Sequence, residues 1–191
     1  MKRIGVTGGI ASGKSLVSRV LEALGYPVFY SDQRAKELLR TSKELKQQLT
    51  DLFGPEAYKD GYLNTAYIAS LVFRQPELLE KMNTIVHPAV RQAFSEWCDE
   101  QASTIVFNEA AILFETGAYV NYDATILVTA PLETRINRAM LRDHSSREEV
   151  IQRMDRQWSD EKKMPLASFM IVNDDRTPVV LQIEQVLATL S

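Results

Sequence analysis

The chain has 191 residues, a formal net charge of −3 and a hydrophobic fraction of 45%. This length fits one sizeable core with small inserted subdomains, and the weak negative charge gives no general attraction to nucleic acid or to an anionic membrane. The single cysteine, Cys98, excludes an internal disulfide, and no apolar run is long enough to span a bilayer. We therefore expect a cytoplasmic protein with small-molecule ligands, and the composition leaves its oligomeric state open.

The first predicted elements are a buried strand, a glycine-rich loop and a helix, in that order. The strand covers residues 3–7, and the residues from Gly8 to Ser15 match the phosphate-binding pattern G-x-x-x-x-G-K-[ST] at every required position. Apolar residues then recur at helical spacing over residues 16–24. In such a loop, backbone N–H groups and the positive end of the helix dipole bind phosphate oxygens. The motif predicts a nucleoside triphosphate site, with Lys14 on the β- and γ-phosphates and the Ser15 hydroxyl on Mg²⁺.

A second strand, at residues 27–30, leads into a mostly helical region. This region contains more helix than a crossover between two strands needs. We therefore expect an inserted helical subdomain from Asp32 to about Gln92. Apolar residues spaced by three and four predict its helices at residues 32–40, 43–53, 64–73 and 77–85, with a turn at 59–61.

Core elements then return for the rest of the chain. A helix at 89–101 is followed by strands at 104–107, 124–129 and 169–172, an arginine-bearing region at 132–164 and a last helix at 178–190. Short apolar strands that alternate with helices indicate an α/β fold, with a parallel sheet covered on both faces. Ligands of such sheets bind beyond the carboxyl ends of the strands. The phosphate loop, Asp32 and Glu109 are therefore expected around one crevice.

Two acidic residues follow predicted strands close to the expected triphosphate. Asp32 could orient an acceptor alcohol and take its proton, or it could cap the helix that follows, and its position favours neither interpretation. Glu109 stands where an acid can hold Mg²⁺ directly or through water, and the alternative is a surface acid at a strand end. For Glu109 the functional interpretation is favoured.

Three arginines, Arg135, Arg138 and Arg142, recur at steps of three and four and share one helix face. Such a stripe is usually a solvated surface, but beside a triphosphate site it can act as a lid that presents guanidinium groups to phosphates. The lid interpretation is favoured for Arg138 and Arg142. A capping box over residues 145–149 predicts a second lid helix. The weaker candidates on that helix are Arg153, Arg156 and Gln157.

The remaining reactive side chains give weaker signals. His87, next to Pro88, could bind a substrate phosphate or simply pack, and the sequence favours packing. Cys98 beside Trp97 is typical of a small packed residue rather than of a nucleophile. The two histidines, His87 and His144, are too far apart along the chain to indicate a zinc site.

Together, these segments resemble the dephospho-coenzyme A kinases along nearly the whole chain. Many enzymes share the phosphate loop, whereas the ordered set of segments is far more specific. Besides the loop, the set consists of Ser-Asp at 31–32, Ile-Val-His-Pro at 85–88, Ala-Ile-Leu-Phe-Glu at 111–115, Arg-Ala-Met-Leu-Arg-Asp at 138–143, Arg153 with Gln157, and Ile-Val-Asn-Asp at 171–174.

The resemblance implies a three-layer P-loop NTP hydrolase fold with a five-stranded parallel sheet. It also implies transfer of the γ-phosphate of ATP to the ribose 3′-hydroxyl of dephospho-coenzyme A, which is the last step of coenzyme A biosynthesis. The nucleotide-binding core would comprise residues 1–31, 93–138 and 165–191. Residues 32–92 would form the acceptor-binding subdomain, and residues 139–164 would form the lid.

The same resemblance implies roles for individual residues. Asp32 corresponds to the general base, Lys14 and Arg142 correspond to transition-state stabilisers, and Ser15 corresponds to the Mg²⁺ ligand, with Glu109 as a second metal candidate. Asp32 and His87 would contact the acceptor. The expected nucleotide-binding residues are Gly9, Ile10, Ala11, Ser12, Gly13, Lys14, Ser15, Leu16, Arg138 and Asn173.

The chain departs from the family pattern at several positions. Ala11 replaces a usual glycine, so a positive φ there would be strained, whereas a right-handed helical conformation would tolerate it. Leu16 replaces a usual threonine, which costs little if only its backbone N–H binds phosphate. Glu109 is followed by alanine where an acid and a proline are common, which leaves its role open. Asn64 and Thr65 replace an acid–arginine pair, so acceptor contacts there cannot be carried over.

Two other function classes stay open when the motif is considered alone. Another P-loop kinase, acting on a small metabolite or a nucleotide, would carry similar lid arginines without the His-Pro and Leu-Phe-Glu segments. A P-loop switch protein would hydrolyse nucleotide without a small acceptor. The N-K-x-D motif that reads the base in such switch proteins does not accompany this loop.

Overall fold

A computed structural model describes residues 1–190, which divide into two compact units. The first unit contains residues 1–30 and 101–190, and the second contains residues 31–100. In chain order, the strands are β1 (Lys2–Thr7), β2 (Val28–Tyr30), β3 (Tyr58–Lys59), β4 (Tyr62–Leu63), β5 (Ile105–Glu109), β6 (Ala124–Thr129) and β7 (Phe169–Val172). The helices are α1 (Lys14–Ala23), α2 (Ser31–Thr41), α3 (Lys43–Phe53), α4 (Thr65–Arg74), α5 (Glu77–Asp99), α6 (Leu132–Asp143), α7 (Arg147–Met154), α8 (Asp160–Lys163) and α9 (Val179–Leu190).

The first unit is built on a five-stranded parallel sheet in the order β2-β5-β1-β6-β7. The central strand β1 is hydrogen-bonded on both sides, so that Ile4 is in register with Phe107 of β5 and with Ala124 of β6. Its residues from Ile4 to Thr7 are all buried, which explains the nearly continuous apolar run. The predicted α/β fold with a five-stranded parallel sheet is confirmed.

Apolar side chains of the sheet and of helices α1 and α9 form the main core of the first unit. Burial of such side chains is the dominant favourable term in folding. The core includes Ile4, Val6, Val17, Leu21, Phe107, Ile126, Val128, Ile171, Ile183 and Leu187. A smaller cluster holds the arginine-bearing region together, because Ile136 and Ala139 of α6 pack with Val150 of α7.

The second unit contains helices α2 to α5 and the small β3-β4 hairpin. Its core consists of Leu49, Phe53, Ala57 and Ile68, with partly buried apolar neighbours around them. The expected turn at 59–61 joins two short antiparallel strands, and both Asp60 and Gly61 have positive φ, at 51° and 83°. Strands of two residues are too short to show the alternation by which a sequence reveals them.

One expectation about the second unit was wrong. The sequence predicts separate helices at 77–85 and 89–101, but α5 is a single helix with Pro88 inside it. Proline removes one hydrogen bond and crowds the preceding turn, at a cost of about 3 kcal/mol in a helix interior. Residues on both sides of Pro88, among them Val86 and Phe94, are buried, and this packing holds the helix together through the proline. The predicted subdomain boundary at residue 92 therefore lies within a helix.

The local signal at the start of α7 agrees with the structure. The capping box predicted near Ser146 is confirmed, since the Ser146 hydroxyl accepts from the Glu149 N–H and the Glu149 carboxylate accepts from the Ser146 N–H. Across residues 1–190, no helix is both long and apolar enough to cross a membrane. The cytoplasmic location and the assignment of a lid to residues 139–164 stay predictions.

Candidate active site

The phosphate loop leaves the carboxyl end of the central strand. Within β5, Glu109 is in register with Val6 of β1 on one side and with Tyr30 of β2 on the other. Parallel strands end at a common edge, so the loop after Thr7 and the Glu109 carboxylate lie at the same edge of the sheet.

The loop backbone bends sharply before helix α1. Gly13 has φ 102° and Ala11 has φ 57°, and the Ser12 N–H donates to the Gly9 carbonyl at 3.1 Å. Of the two conformations considered for Ala11, the structure has the left-handed one, which is unfavourable for a residue with a Cβ. The loop thus stores a small local strain at Ala11, where the resemblance implies a glycine.

Three of the loop glycines have no space for a side chain. A Cβ on Gly8 would lie 2.3 Å from the Val128 carbonyl oxygen, and one on Gly13 would lie 1.9 Å from the Asn173 amide nitrogen. A Cβ on Gly9 would lie 2.0 Å from Arg135 Nη2. The glycines therefore let other groups of the first unit approach the loop backbone closely.

Lys14 and Ser15 begin helix α1 and lie beside Glu109. Lys14 Nζ donates to the Gly8 carbonyl at 2.8 Å, which folds the side chain over the loop. The Ser15 hydroxyl lies 3.5 Å from Glu109 Oε1, and Glu109 Oε2 is buried without a hydrogen-bond partner among residues 1–190. Hydroxyl and carboxylate oxygens are ligands that suit Mg²⁺, and an unsatisfied buried oxygen fits a cation there. The residues at this position are thus chemically suited to Mg²⁺ and to phosphate.

Tyr30 lies next to this acidic position. Burial, a hydrogen bond to Glu22 and the negative charge of Glu109 raise the pKa of Tyr30. The phenol therefore stays protonated at neutral pH and adds no charge beside the Glu109 carboxylate.

Asn173, directly after β7, contacts the phosphate loop, and Arg138 of α6 contacts Asn173. The Asn173 side-chain amide donates to the Ser12 carbonyl at 3.0 Å, which ties the end of β7 to the loop. Arg138 Nη2 donates to the Asn173 carbonyl at 3.0 Å and pairs with Asp175 at 2.6 Å. These two residues, expected from the resemblance to border the nucleotide, are thus in direct contact with each other, and Asn173 also contacts the loop.

Arg142 and Arg153 share one carboxylate, which the sequence did not single out. Arg142 donates from Nε and Nη2 to the two oxygens of Asp143, at 2.7 and 3.0 Å, and Arg153 Nη1 lies 2.9 Å from Asp143 Oδ2. The hydrogen bonds from Arg142, and then from Arg153, hold the pKa of Asp143 well below its usual range. The Arg142 side chain is 62% exposed, so it has room to change partner.

A second unpredicted contact joins the arginine-bearing region to the segment after β5. Lys163 is fully buried, and its ammonium lies 2.7 Å from Glu115 Oε1, which also accepts the Trp158 N–H at 3.2 Å. Removing one partner of a buried ion pair leaves an uncompensated charge, at a cost of about 3–5 kcal/mol. In the sequence, Lys163 belongs to a run of four charged residues that looks like a solvated surface, so no signal pointed to it.

The two acceptor candidates belong to the second unit. Asp32 lies in the first turn of α2, which begins at Ser31, so Asp32 is inside the helix rather than at its cap. His87 lies in the middle of α5, and partial burial, with the nearby charge of Arg91, lowers its pKa. Its imidazole is therefore neutral at neutral pH in the free protein.

Comparisons with known proteins agree with this geometry. The family model for dephospho-CoA kinase matches residues 2–178 of the chain. The chain is 40% identical over 189 residues to the dephospho-CoA kinase of Bacteroides fragilis, which covers 98% of this chain and 92% of that protein. It is also 45% identical over 167 residues to the enzyme of Porphyromonas gingivalis, which covers 87% and 81% respectively.

A solved structure shows the same fold along nearly the whole chain. A crystal structure from Thermus thermophilus superposes with a TM-score of 0.84 at 38% identity, covering 99% of this chain and 95% of that one. The extent of the family match, the identity of the relatives and the phosphate loop seen here lead to one conclusion. The chain belongs to the dephospho-CoA kinase family.

Proposed function

We propose that this protein transfers the γ-phosphoryl group of ATP to the ribose 3′-hydroxyl of dephospho-CoA, giving CoA and ADP. The observation that carries the proposal is the grouping of Lys14, Ser15 and Glu109 at one phosphate loop, in a chain of this family. In the reaction, the 3′-oxygen forms a bond to the γ-phosphorus, and the bond from that phosphorus to the β–γ bridging oxygen breaks. The proton of the hydroxyl must leave as the new bond forms.

The residues of the phosphate loop are proposed to hold the triphosphate. The backbone from Gly9 to Leu16, together with the first turn of α1, would bind the phosphate oxygens. Lys14 would leave the Gly8 carbonyl and neutralise charge on the β- and γ-phosphates. Mg²⁺, held by the Ser15 hydroxyl and by the Glu109 carboxylate directly or through water, would neutralise charge on the same oxygens.

The residues outside the loop are proposed to complete the site. Asp32 would orient the 3′-hydroxyl and accept its proton, and Arg142 would leave Asp143 to stabilise the charge that spreads over the transferring group. Arg138 and Asn173 would border the nucleotide. Residues 139–164 would close over both substrates and exclude water, which limits hydrolysis of ATP.

His87 is proposed to contact a phosphate of the acceptor from the second unit. Its lowered pKa means that it meets that phosphate as a neutral imidazole, able to donate one hydrogen bond. The negative charge of the acceptor's pyrophosphate would favour the protonated form and raise the pKa of His87 again. Acceptor binding should therefore strengthen as the pH falls through the pKa that His87 has in the complex, because the complex binds a proton that the free protein releases.

The experiment that tests the proposal is the release of ADP from MgATP, with and without dephospho-CoA, with the product weighed by mass spectrometry. Acceptor-dependent release and a product heavier by one phosphate are expected. Equal ADP release in both reactions would instead support a hydrolytic switch. No release at all with dephospho-CoA, together with turnover of another alcohol or nucleotide in a panel, would support a different acceptor.

Two variants test the assigned roles in the same assay. Asp32→Asn should lower kcat by about 10²- to 10⁴-fold, the range for a lost general base, without weakening MgATP binding. His87→Gln should raise the KM for dephospho-CoA and leave the KM for ATP unchanged. The control is Asp51→Asn in α3, where the exposed carboxylate only accepts a hydrogen bond from Gln47. Equal losses of turnover and ATP binding in Asp32→Asn would contradict the base assignment.

A further inference from the structure

Side chains from outside the phosphate loop hold both polar backbone groups of Ile10, at the tip of the loop. The Ile10 N–H donates to Gln157 Oε1 at 2.9 Å, and the Ile10 carbonyl accepts from Arg135 Nε at 3.0 Å. Neither of these side chains belongs to the motif. The tip therefore depends on contacts that the sequence pattern of the loop does not contain.

The guanidinium of Arg135 also fills the space over Gly9. A Cβ at Gly9 would meet Nη2 at 2.0 Å and Cζ at 2.6 Å, so the arginine lies directly against the loop backbone. Arg135 is 9% exposed, whereas an arginine that waits for a ligand is expected to reach into solvent. Its position makes it a support of the loop rather than a free phosphate ligand.

Asp160 compensates the buried charge of Arg135. Its Oδ2 lies 3.2 Å from Arg135 Nη1, and the two side chains are only 16% and 11% exposed. A buried guanidinium without a counter-ion would be strongly unfavourable. Burial raises the pKa of Asp160, while the charges of Arg135, Lys163 and Lys14 oppose that rise and Glu161 adds to it. The carboxylate thus lies among the cations around the loop, and Arg135 is the one it pairs with through Oδ2.

We propose that Arg135 and Asp160 form a positioning pair that fixes Gly9 and Ile10 in the conformation that receives the phosphates of the nucleotide. A loop that is already ordered loses less conformational entropy when its N–H groups bind phosphate, so the pair contributes to affinity without touching the reacting atoms. The inference rests on the proposed function only in taking the ligand to be a nucleoside triphosphate. It does not depend on the identity of the acceptor.

Binding of inorganic tripolyphosphate to the 191-residue chain tests this inference. Dissociation constants for MgATP and for magnesium tripolyphosphate are measured by calorimetry for the wild type, Arg135→Gln, Asp160→Asn and the double variant. Both constants should rise together, by about 10-fold or more in Arg135→Gln, because the lost contacts are hydrogen bonds from a charged group. The double variant should be less impaired than the sum of the single effects, since the two residues act as one unit.

Two further variants separate positioning from folding. Arg135→Lys keeps the charge beside Asp160 but loses the fixed fork that reaches Ile10, so its affinity should fall between those of the wild type and Arg135→Gln. The control is Glu133→Gln on α6, outside residues 139–164, which breaks the exposed ion pair of Glu133 with Arg147. It should bind both ligands like the wild type. At saturating substrates, kcat of the Arg135 variants should stay within about threefold of the wild type.

Two results for Arg135→Gln would contradict a positioning role of Arg135. If Arg135→Gln melts earlier but binds tripolyphosphate like the wild type, then Arg135 only stabilises the fold. If kcat falls at least 100-fold with unchanged dissociation constants, then Arg135 touches the transferring phosphate and is not a positioning residue. A wild type that binds both ligands but fails to phosphorylate dephospho-CoA would overturn the proposed acceptor alone.

Discussion

The two ends of helix α6 carry the same residue type in opposite surroundings. Near its start, Arg135 is 9% exposed, lies against the phosphate loop and pairs with the partly buried Asp160. At its end, the Arg142 side chain is 62% exposed and pairs with the adjacent Asp143. The sequence placed both arginines on one helix face and favoured the lid interpretation for Arg142 and not for Arg135, but it did not show that Arg135 is buried against the loop.

The difference in burial decides which arginine can change partner. Loss of one member of a buried ion pair costs about 3–5 kcal/mol, so Arg135 is expected to stay where it is. An exposed pair contributes little in water, so Arg142 can exchange Asp143 for a phosphate at small cost. Helix α6 would thus hold the phosphate loop with one end and present a mobile guanidinium with the other.

The largest effect on catalysis should come from a substitution in the phosphate loop, which Arg135 at the start of α6 supports. Lys14→Ala removes the only loop side chain with a full positive charge, and we expect kcat/KM for ATP to fall by about 10³-fold or more, a loss of several kcal/mol of transition-state stabilisation. Steady-state kinetics against MgATP measure it. The control is Lys162→Ala, whose ammonium lies over the Trp158 ring at 3.6 Å and not on the loop. A loss of kcat/KM below about 10-fold for Lys14→Ala would contradict a role of Lys14 in stabilising the transition state.

Substitution of Arg142, at the exposed end of α6, should have a smaller effect, and it should change kcat rather than nucleotide binding. Arg142→Gln should lower kcat by about 100-fold, the scale for one lost donor at a charged transition state, and should leave the dissociation constant for MgATP within about threefold. Arg135→Gln should instead raise the dissociation constant for MgATP and leave kcat within about threefold of the wild type. The opposite responses of these two variants, measured by calorimetry and saturating kinetics, would establish the division of roles along α6.

A matched variant on the same carboxylate sharpens this test. Arg153→Gln also removes one cation from Asp143, but it leaves Arg142 in place. Its effect on kcat should therefore be only a few-fold. Equal losses of kcat in Arg142→Gln and Arg153→Gln would mean that the Asp143 cluster acts as a unit, and that Arg142 does not act alone on the phosphate.

Much of the fold was predictable because its signals are local. Buried parallel strands show as apolar runs, and helices show as apolar residues spaced by three and four, so most elements were found within one or two residues of their ends. The break expected at Pro88 was wrong, because packing on both sides of the proline outweighs its local cost. Tertiary contacts of this kind cannot be predicted from the pattern of about ten neighbouring residues in the sequence.

The candidate site was predictable only where its residues are close in sequence or belong to a recognised pattern. The phosphate loop is one continuous motif, and Glu109 was singled out because it stands at the end of a predicted strand. Asp160 and Lys163 were missed, since they lie in a short charged run that is typical of a solvated surface. Their partners, Arg135 and Glu115, lie on other segments of the chain, and only the fold brings each pair together.

The smallest effect concerns the strain in the fixed loop. Ala11 has φ 57°, which costs a residue with a Cβ roughly 1–2 kcal/mol. Ala11→Gly relieves that cost but adds roughly 0.4–1 kcal/mol of conformational entropy to the unfolded chain. It also removes a methyl group that packs against the cluster of Ile136, Ala139 and Val150. We therefore expect a net gain of about 0.5 kcal/mol or less in the free energy of unfolding, measured by urea denaturation.

The matched variant for this strain is Asp60→Gly, in the β3-β4 hairpin. Asp60 has φ 51° and is exposed, so its substitution relieves a left-handed conformation without removing core packing. Aspartate tolerates this conformation better than alanine, so its gain should be smaller than that of Ala11→Gly if strain decides the outcome. A destabilised Ala11→Gly beside an unchanged Asp60→Gly would show that the Ala11 methyl stabilises the loop more than its backbone strain destabilises it. In that case, packing of the Ala11 methyl against Ile136, Ala139 and Val150 would explain how the loop keeps its conformation without a glycine at position 11.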